Sequence, residues 1–415
     1  MDFRNRTGLY GSYFFGVAAI GFTLPYLPLY LAENKGLSDR AIGLVSTLAA
    51  LASLAQFPIG IWSDRVATRK PFLIAALALI LISTILLPEV SGVIGVAILI
   101  VLFAENGLGR ASVESLSGAE ATSLARAGEL GSALGMLRVW KPIGIIAVAL
   151  LGRWLVPRYG TQAVLMPLMV CQALAVALAL LIHENHAGEE KEPDASRAST
   201  RREWLPRDPA LWVFVAAMVL FHCANAPGGV YLGLFLNRTL HAPDSRLADA
   251  FIVSMIAWMV VVWPAGWLAD RWGRKPLLIL CWSTMALRLA LVAMAEQPWQ
   301  VVANQTLDGL SNGLFAVLAA AWVTDRLGDP RRAGEAQVLV GCSLVLGSAI
   351  GPGISGFVVD AVGYRALFGG LAAVGAVASF LVAAFVPETL PKHRELHADG
   401  SVEPMAVLAD LSTTL

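Results

Sequence analysis

Residues Gly60–Pro71 read GIWSDRVATRKP, and residues Gly266–Pro276 read GWLADRWGRKP. Gly, Asp and Arg recur in the same order at an offset of 206 in a chain of 415 residues, and Arg-Lys-Pro follows one residue nearer in the second copy. A repeat at half the chain length means two equivalent structural units. Both copies lie between the second and third apolar stretches of their halves, on the side where basic residues collect.

The chain around these loops is 57% hydrophobic and 14% charged, with a mean hydropathy of +0.67. Ordinary globular domains are about 45–50% apolar and about 25% charged. A soluble enzyme, a disordered chain and a coiled coil are therefore excluded. Lys+Arg and Asp+Glu cancel at 30 each, so no net charge draws the chain to nucleic acid. The four cysteines (Cys171, Cys223, Cys281, Cys342) form neither a metal pattern nor a disulfide framework.

A helix needs about 20 mostly apolar residues to cross a bilayer. That ruler gives spans near 9–31, 41–62, 72–88, 93–117, 131–155 and 162–183, then 210–236, 247–268, 276–294, 298–323, 336–359 and 365–387. The fold expected is an all-α membrane protein of twelve transmembrane helices in two six-helix bundles, residues 1–183 and 209–388. A charged linker (184–208) joins them and a mobile polar tail (389–415) follows. Alternate connections carry 19 and 7 basic residues, which places both termini in the cytoplasm. Short loops and the lack of a cleavable signal peptide point to a bacterial inner membrane.

Seven ionisable residues fall within spans: Glu105, Arg110, Glu114, Arg138, Lys141, Arg288 and Asp308. Each costs about 2.5–3.5 kcal/mol at a helix centre, so each is a functional candidate by default. Glu114 follows Arg110 by four residues, the spacing of a local pair. Glu105 is nearer mid-span, with Arg138 or Lys141 as its expected partner. Arg138 and Lys141 share one helix face and call for an anion between them, either Glu105 or a cargo group. With all seven ionised the sum is +1, a slight preference for an anionic substrate. Arg288 and Asp308 lie in consecutive helices and can pair; Asp308 is either the proton carrier or half of a permanent ion pair.

His222 is the only histidine inside a span, within Phe221-His222-Cys223-Ala224-Asn225-Ala226-Pro227-Gly228-Gly229. The Pro-Gly-Gly run should break or loosen the seventh helix and expose backbone to a cavity. Asn225 is then a substrate contact, and His222 either titrates or packs. Tyr26, Tyr30 and Trp140 either line the cavity or pack. There is no GxxxxGK[ST] loop, no metal-ligand cluster and no nucleophile–base pair, so neither a cofactor, an ATP-driven pump nor an enzyme is expected.

Gly-x-x-x-Asp-Arg-x-Gly-Arg-Lys in the second copy resembles the signature loop of the major facilitator superfamily. The resemblance implies two six-helix bundles around a cavity that opens to each side in turn. It also implies a conformational gate at Gly60, Asp64, Arg65, Arg69 and Lys70 and at Gly266, Asp270, Arg271, Arg274 and Lys275. The first copy departs from the pattern, with Val66-Ala67-Thr68 where the second has Trp272-Gly273.

Tyr13-Phe14-Phe15, Leu24-Pro25, Ala41-Ile42-Gly43-Leu44 and Leu137-Arg138-Val139-Trp140 resemble the proton-symporter branch that includes phenylpropionate, nucleoside and oligosaccharide permeases. That resemblance matches Arg138 and Arg288 to the branch's fifth- and ninth-span arginines. It puts Asp308 where the branch has a tenth-span histidine, and the fourth-span acid at Glu120 or, with a gap, Glu114. It implies a monomeric carrier that imports a small organic solute with protons. Export by antiport and uncoupled uniport remain open.

Overall fold

The computed structural model describes residues 3–66, 68–104, 107–124, 130–183, 208–328 and 333–390. Glu105 and the tail beyond residue 390 lie outside the described residues, as do the side chains of Asp64 and Arg138.

The described chain is helical apart from short connections. Its helices are α1 (Phe3–Ala18), α2 (Ile20–Thr23), α3 (Leu27–Glu33), α4 (Asp39–Ala52), α5 (Gln56–Arg65), α6 (Lys70–Leu86), α7 (Val93–Phe103) and α8 (Leu108–Leu124). They continue as α9 (Leu130–Tyr159), α10 (Leu165–Ala179), α11 (Pro209–Arg238), α12 (Ser245–Trp272), α13 (Arg274–Met294), α14 (Pro298–Leu327) and α15 (Ala333–Phe385). In hydrocarbon a helix satisfies its own backbone, which is why so apolar a chain folds this way.

Among the described residues, nine helices are long and apolar enough to span a membrane, and the first segment, bent by 53° after Thr23, makes a tenth. α6 is apolar but shorter, and α15 turns at Gly363 (φ 83°), giving two arms. Counted this way the chain divides into the twelve expected segments.

The boundaries follow local chemistry. Ser38 caps α4 by accepting from the Ala41 amide, and Asp208 caps α11 by accepting from the Ala210 amide, with Pro209 at the first helical position. Gln297 and Gln300 form a capping box at the start of α14. Gly273 takes φ +95° between α12 and α13, a turn that a β-carbon would strain.

α1 packs on α9 and α10 in the first half, and α11 and α13 pack on α15 in the second. The main crossings between the halves are α4 on α15, α9 on α12, and α3 on α11. At the first, a β-carbon on Gly43 would overlap the Pro352 carbonyl and Tyr231 Oη, and Thr47 Oγ1 donates to the Ala349 carbonyl at 2.5 Å. Glycine there lets two helices approach at backbone distance.

The expected break in the seventh span is not found, although Gly229 of the Pro-Gly-Gly run lines a cavity. α11 runs unbroken from Pro209 to Arg238 straight through Pro227. Pro227 has no N–H to give the Cys223 carbonyl. That carbonyl instead lies where a β-carbon on Gly351 would sit, so α15 packs directly against the carbonyl that the proline leaves without its helical donor.

Candidate functional site

The second half holds a closed polar network built from α11 to α14. Arg288, 3% exposed, pairs with Asp308 at 2.6 Å. Its guanidinium also donates to Asn225 Oδ1 (2.7 Å) and Gln305 Oε1 (3.2 Å). Asn225 Nδ2 donates to Asn312 Oδ1 at 3.0 Å, and Asn312 Nδ2 donates to Asp308 Oδ1 at 2.8 Å. Ser254 Oγ donates to Asp308 Oδ2. The charge expected of Arg288 is thus matched within its own bundle, as buried charges require. Gln305, Asn312 and Ser254 were not anticipated. Their positions one turn before Asp308, one turn after it and on the adjacent helix are the only sequence signals they carry.

In the first half, Lys141 on α9 pairs with Glu114 on α8 at 2.6 Å, both about one-third exposed. The α8–α9 packing brings Glu114 to Lys141, a partner not anticipated; the expected partnership with Arg138 or Lys141 rests on Glu105, which lies outside the described residues. Arg110 is fully buried and donates to the Gly16 and Val17 carbonyls at 3.2 Å each. Glu120 is 2% exposed. The side-chain positions of Glu105 and Arg138 lie outside the described residues.

The aromatic candidates are packing residues. Tyr26 and Tyr30 are wholly buried around Phe22, and the Tyr26 ring packs closely against Gly152. Trp140 meets Phe14 edge-on at 5.7 Å. His222 is buried against Phe221 and Phe315, the latter at 4.7 Å. Of the α11 candidates, Asn225 belongs to the polar network and is only part-buried.

Between the halves lies a cavity of about 80 Å³ whose lining includes Thr23, Ser46, Ala104, Ala226, Gly229 and Ser348. Thr23 and Ser46 donate their hydroxyl protons to carbonyls of their own helices, Ile20 and Ile42. Their lone pairs remain available to a ligand that donates. Ser348 adds a third hydroxyl, and among the described residues the rest of the lining is apolar and uncharged.

The motif loops behave differently in the two halves. In the second, Arg274 bridges Asp270 (3.0 Å) and Asp325 (2.8 Å), tying α12, α13 and α14 together. Glu388, just past α15, accepts from the Arg274 and Lys275 amides at the start of α13 (2.8 and 2.9 Å). Burial pushes the Glu388 carboxyl up, but four amide donors (Leu390, Arg274, Lys275 and Thr389) outweigh it and hold the group below its ordinary value. Arg271 stacks over Trp267 at 4.6 Å. In the first half, Lys70 Nζ caps the Leu180 and Ile182 carbonyls after α10 (2.8 and 2.7 Å), while Arg65 is exposed. A β-carbon at Gly60 would meet nothing, and one at Gly266 would meet only Val317 at 3.9 Å, so these two glycines are not close-approach points in this state.

At the opposite end, residues not singled out from sequence join the halves. Arg40 pairs with Asp360 (2.6 Å), Arg238 with Asp39 (3.1 Å) and Arg153 with Asp249 (2.5 Å). Tyr364 Oη donates to the Asp39 carboxylate, and Tyr231 Oη lies within bonding distance of the Asp39 and Pro352 carbonyls.

Residues 7–369 match the MFS_1 like family. A putative sugar efflux transporter of Deinococcus radiodurans is 27% identical over 83% of this chain and 88% of its own. A maltose permease of Geobacillus stearothermophilus is 26% identical over 85% of each. An uncharacterized MFS-type transporter of Mycobacterium tuberculosis is 25% identical over 88% of this chain and 89% of its own. Among solved structures, the nucleoside transporter NupG superposes with a TM-score of 0.74 at 17% identity, covering 93% of this chain and 99% of that one. The inward-open xylose transporter XylE from E. coli gives 0.70 at 14%, covering 94% and 97%. The repeated loop, the helical bundle with buried charges and the match along most of the chain agree: this protein belongs to the MFS_1 like family and is a membrane transporter of the major facilitator superfamily, not an enzyme.

Proposed function

We propose that the protein moves a small, uncharged, hydroxylated solute of the sugar or nucleoside class by alternating access, coupled to protons through Asp308. The observation that carries this reading is the charge matching: Arg288 and Lys141 already hold Asp308 and Glu114 at 2.6 Å each. Counting Glu120 with the seven intramembrane groups leaves four cations against four carboxylates, so the earlier preference for an anion loses its basis. A cavity whose hydroxyls present lone pairs suits a cargo rich in O–H donors. The names of the maltose, sugar-efflux and nucleoside relatives point the same way.

The pairs Arg40–Asp360, Arg238–Asp39 and Arg153–Asp249 latch the end away from the motif loops. With both termini cytoplasmic in a bacterial inner membrane, that end is the outer one and this state faces inward. The protein acts as a monomer of two bundles, 1–183 and 209–388, and the motif loops rearrange as the latch opens.

The test is uptake of labelled maltose, xylose and uridine into proteoliposomes with and without an inward proton gradient, phenylpropionate serving as the anionic control. Gradient-driven uptake of a neutral solute that Asp308→Asn uncouples supports the reading. Uptake confined to the anion, or indifferent to the gradient and to Asp308→Asn, overturns it. The permease and the efflux relative differ in direction, and the sign of the flux under the gradient separates import from export.

A further inference from the structure

We propose that Ser254 transmits the protonation of Asp308 to the outer latch at Asp249, an inference that rests on Asp308 being the proton site. The network dictates where a proton can land. Arginine only donates, and a carboxylate only accepts. Between them two amides run in one direction: Arg288 donates to Asn225, Asn225 to Asn312, and Asn312 to Asp308 Oδ1. Reversing the Asn312 amide to accept a proton from Oδ1 would set donor against donor at Asn225. Oδ1 also carries the Arg288 pair at 2.6 Å. The other oxygen, Oδ2, meets one donor, Ser254 Oγ. A hydroxyl rotates freely and serves either as donor or as acceptor.

The step is therefore a proton bonding to Oδ2, after which Oδ2–H donates to Ser254 Oγ. The Ser254 hydroxyl proton turns away from the carboxyl to a new acceptor. In a helix that acceptor is the carbonyl four residues earlier, a bond that bends the helix locally. Four residues before Ser254 is Ala250, which follows Asp249. Asp249 takes Arg153 from the other half at 2.5 Å, and α12 packs on α9 at this crossing. The bend thus falls beside the latch, with Ser254 1% exposed and shielded from competing water.

The ionisable groups around Asp308 are few. Arg288 faces it from α13, and Cys281 on the same helix donates to the Ser311 carbonyl. His222 on α11 lies against Phe315. From α12 the contact is Ser254, and Gln305 and Asn312 flank Asp308 on α14 itself.

The experiment places a single cysteine at Ala349, 4% exposed where α4 crosses α15, in full-length purified protein whose four native cysteines are serine. Its alkylation rate is measured at about pH 5.5 and about pH 8. With Ser254 present, alkylation at the acid pH should be about tenfold faster, as the outer end opens. Ser254→Ala should be flat, Ser254→Thr should restore the response, and Asp308→Asn should be flat. A response that survives Ser254→Ala but not Asp308→Asn overturns the relay and leaves Asp308 as the proton site. A response that survives Asp308→Asn, or none with both residues present, overturns both. A Ser254→Thr variant as flat as Ser254→Ala also overturns the relay, since the hydroxyl would then not be what matters.

Discussion

The two halves answer the same problem, a cation inside a membrane, in opposite ways. In the first, Lys141 meets Glu114 in a pair about one-third open. The second buries Arg288 under Asp308, Asn225 and Gln305 and then supports Asp308 with Asn312 and Ser254. A partly solvated pair can exchange partners with little reorganisation. A buried network of several mutually supporting hydrogen bonds is harder to rearrange without a change of charge. On the coupling proposed above, adaptable work falls to the first half and proton-driven work to the second.

The largest test of this asymmetry is to remove one member of each pair. Arg288→Met leaves Asp308 buried and uncompensated, which costs about 3–5 kcal/mol, and Arg288→Met with Asp308→Leu should recover much of it. Thermal unfolding in detergent reads both. A single variant as stable as wild type would mean that water already reaches the network.

Next in size is the seam between halves. Gly43→Ala places a methyl group against the Pro352 carbonyl and Tyr231 Oη, and overpacking of this kind costs about 1–3 kcal/mol of the latched state. Distances between labels at the outer ends should lengthen. An unchanged distribution would show the crossing to be more compliant than its packing implies.

Lys141→Met should cost no more than about 1 kcal/mol, because the pair it breaks is partly solvated. The same thermal assay, set beside Arg288→Met, gives the asymmetry as a difference. Equal losses would erase it.

The smallest effect concerns the helix ends. Glu388→Gln should cost about 0.5–1 kcal/mol, the size of a solvent-exposed N-cap. The folded Glu388 carboxyl is held below its unfolded value. Its contribution is therefore complete above the unfolded value, about 4.3, and disappears as pH falls through the folded one. Melting curves of wild type and Glu388→Gln should differ at neutral pH and converge in acid. Lys70→Met, which removes the cation on the Leu180 and Ile182 carbonyls, should show no such convergence.

Much of this was legible from composition and position. Twelve segments, the half-length repeat and the Arg288–Asp308 pair all follow from one rule: hydrocarbon tolerates neither bare backbone nor unpaired charge, so apolar runs mark helices and in-span charges mark sites. That α11 continues through Pro227 could not be read from sequence, because the contact of Gly351 with the Cys223 carbonyl comes from a distant helix. Tyr26 and Tyr30 were ambiguous because an aromatic ring in a span suits a core as well as a cavity.

Composition and periodicity by themselves determined that the chain spans a membrane, that a motif repeats at half its length and that Arg288 and Asp308 can pair. These are properties of each segment in its solvent. Which carboxylate Lys141 takes, that Ser254 and Asn312 serve Asp308, and that Asp39, Asp249 and Asp360 latch the halves were decided only by tertiary structure. Serine and asparagine inside a helix, and charges at a helix end, cost too little alone to stand out; their meaning comes from the neighbour that packing brings within 3 Å or so.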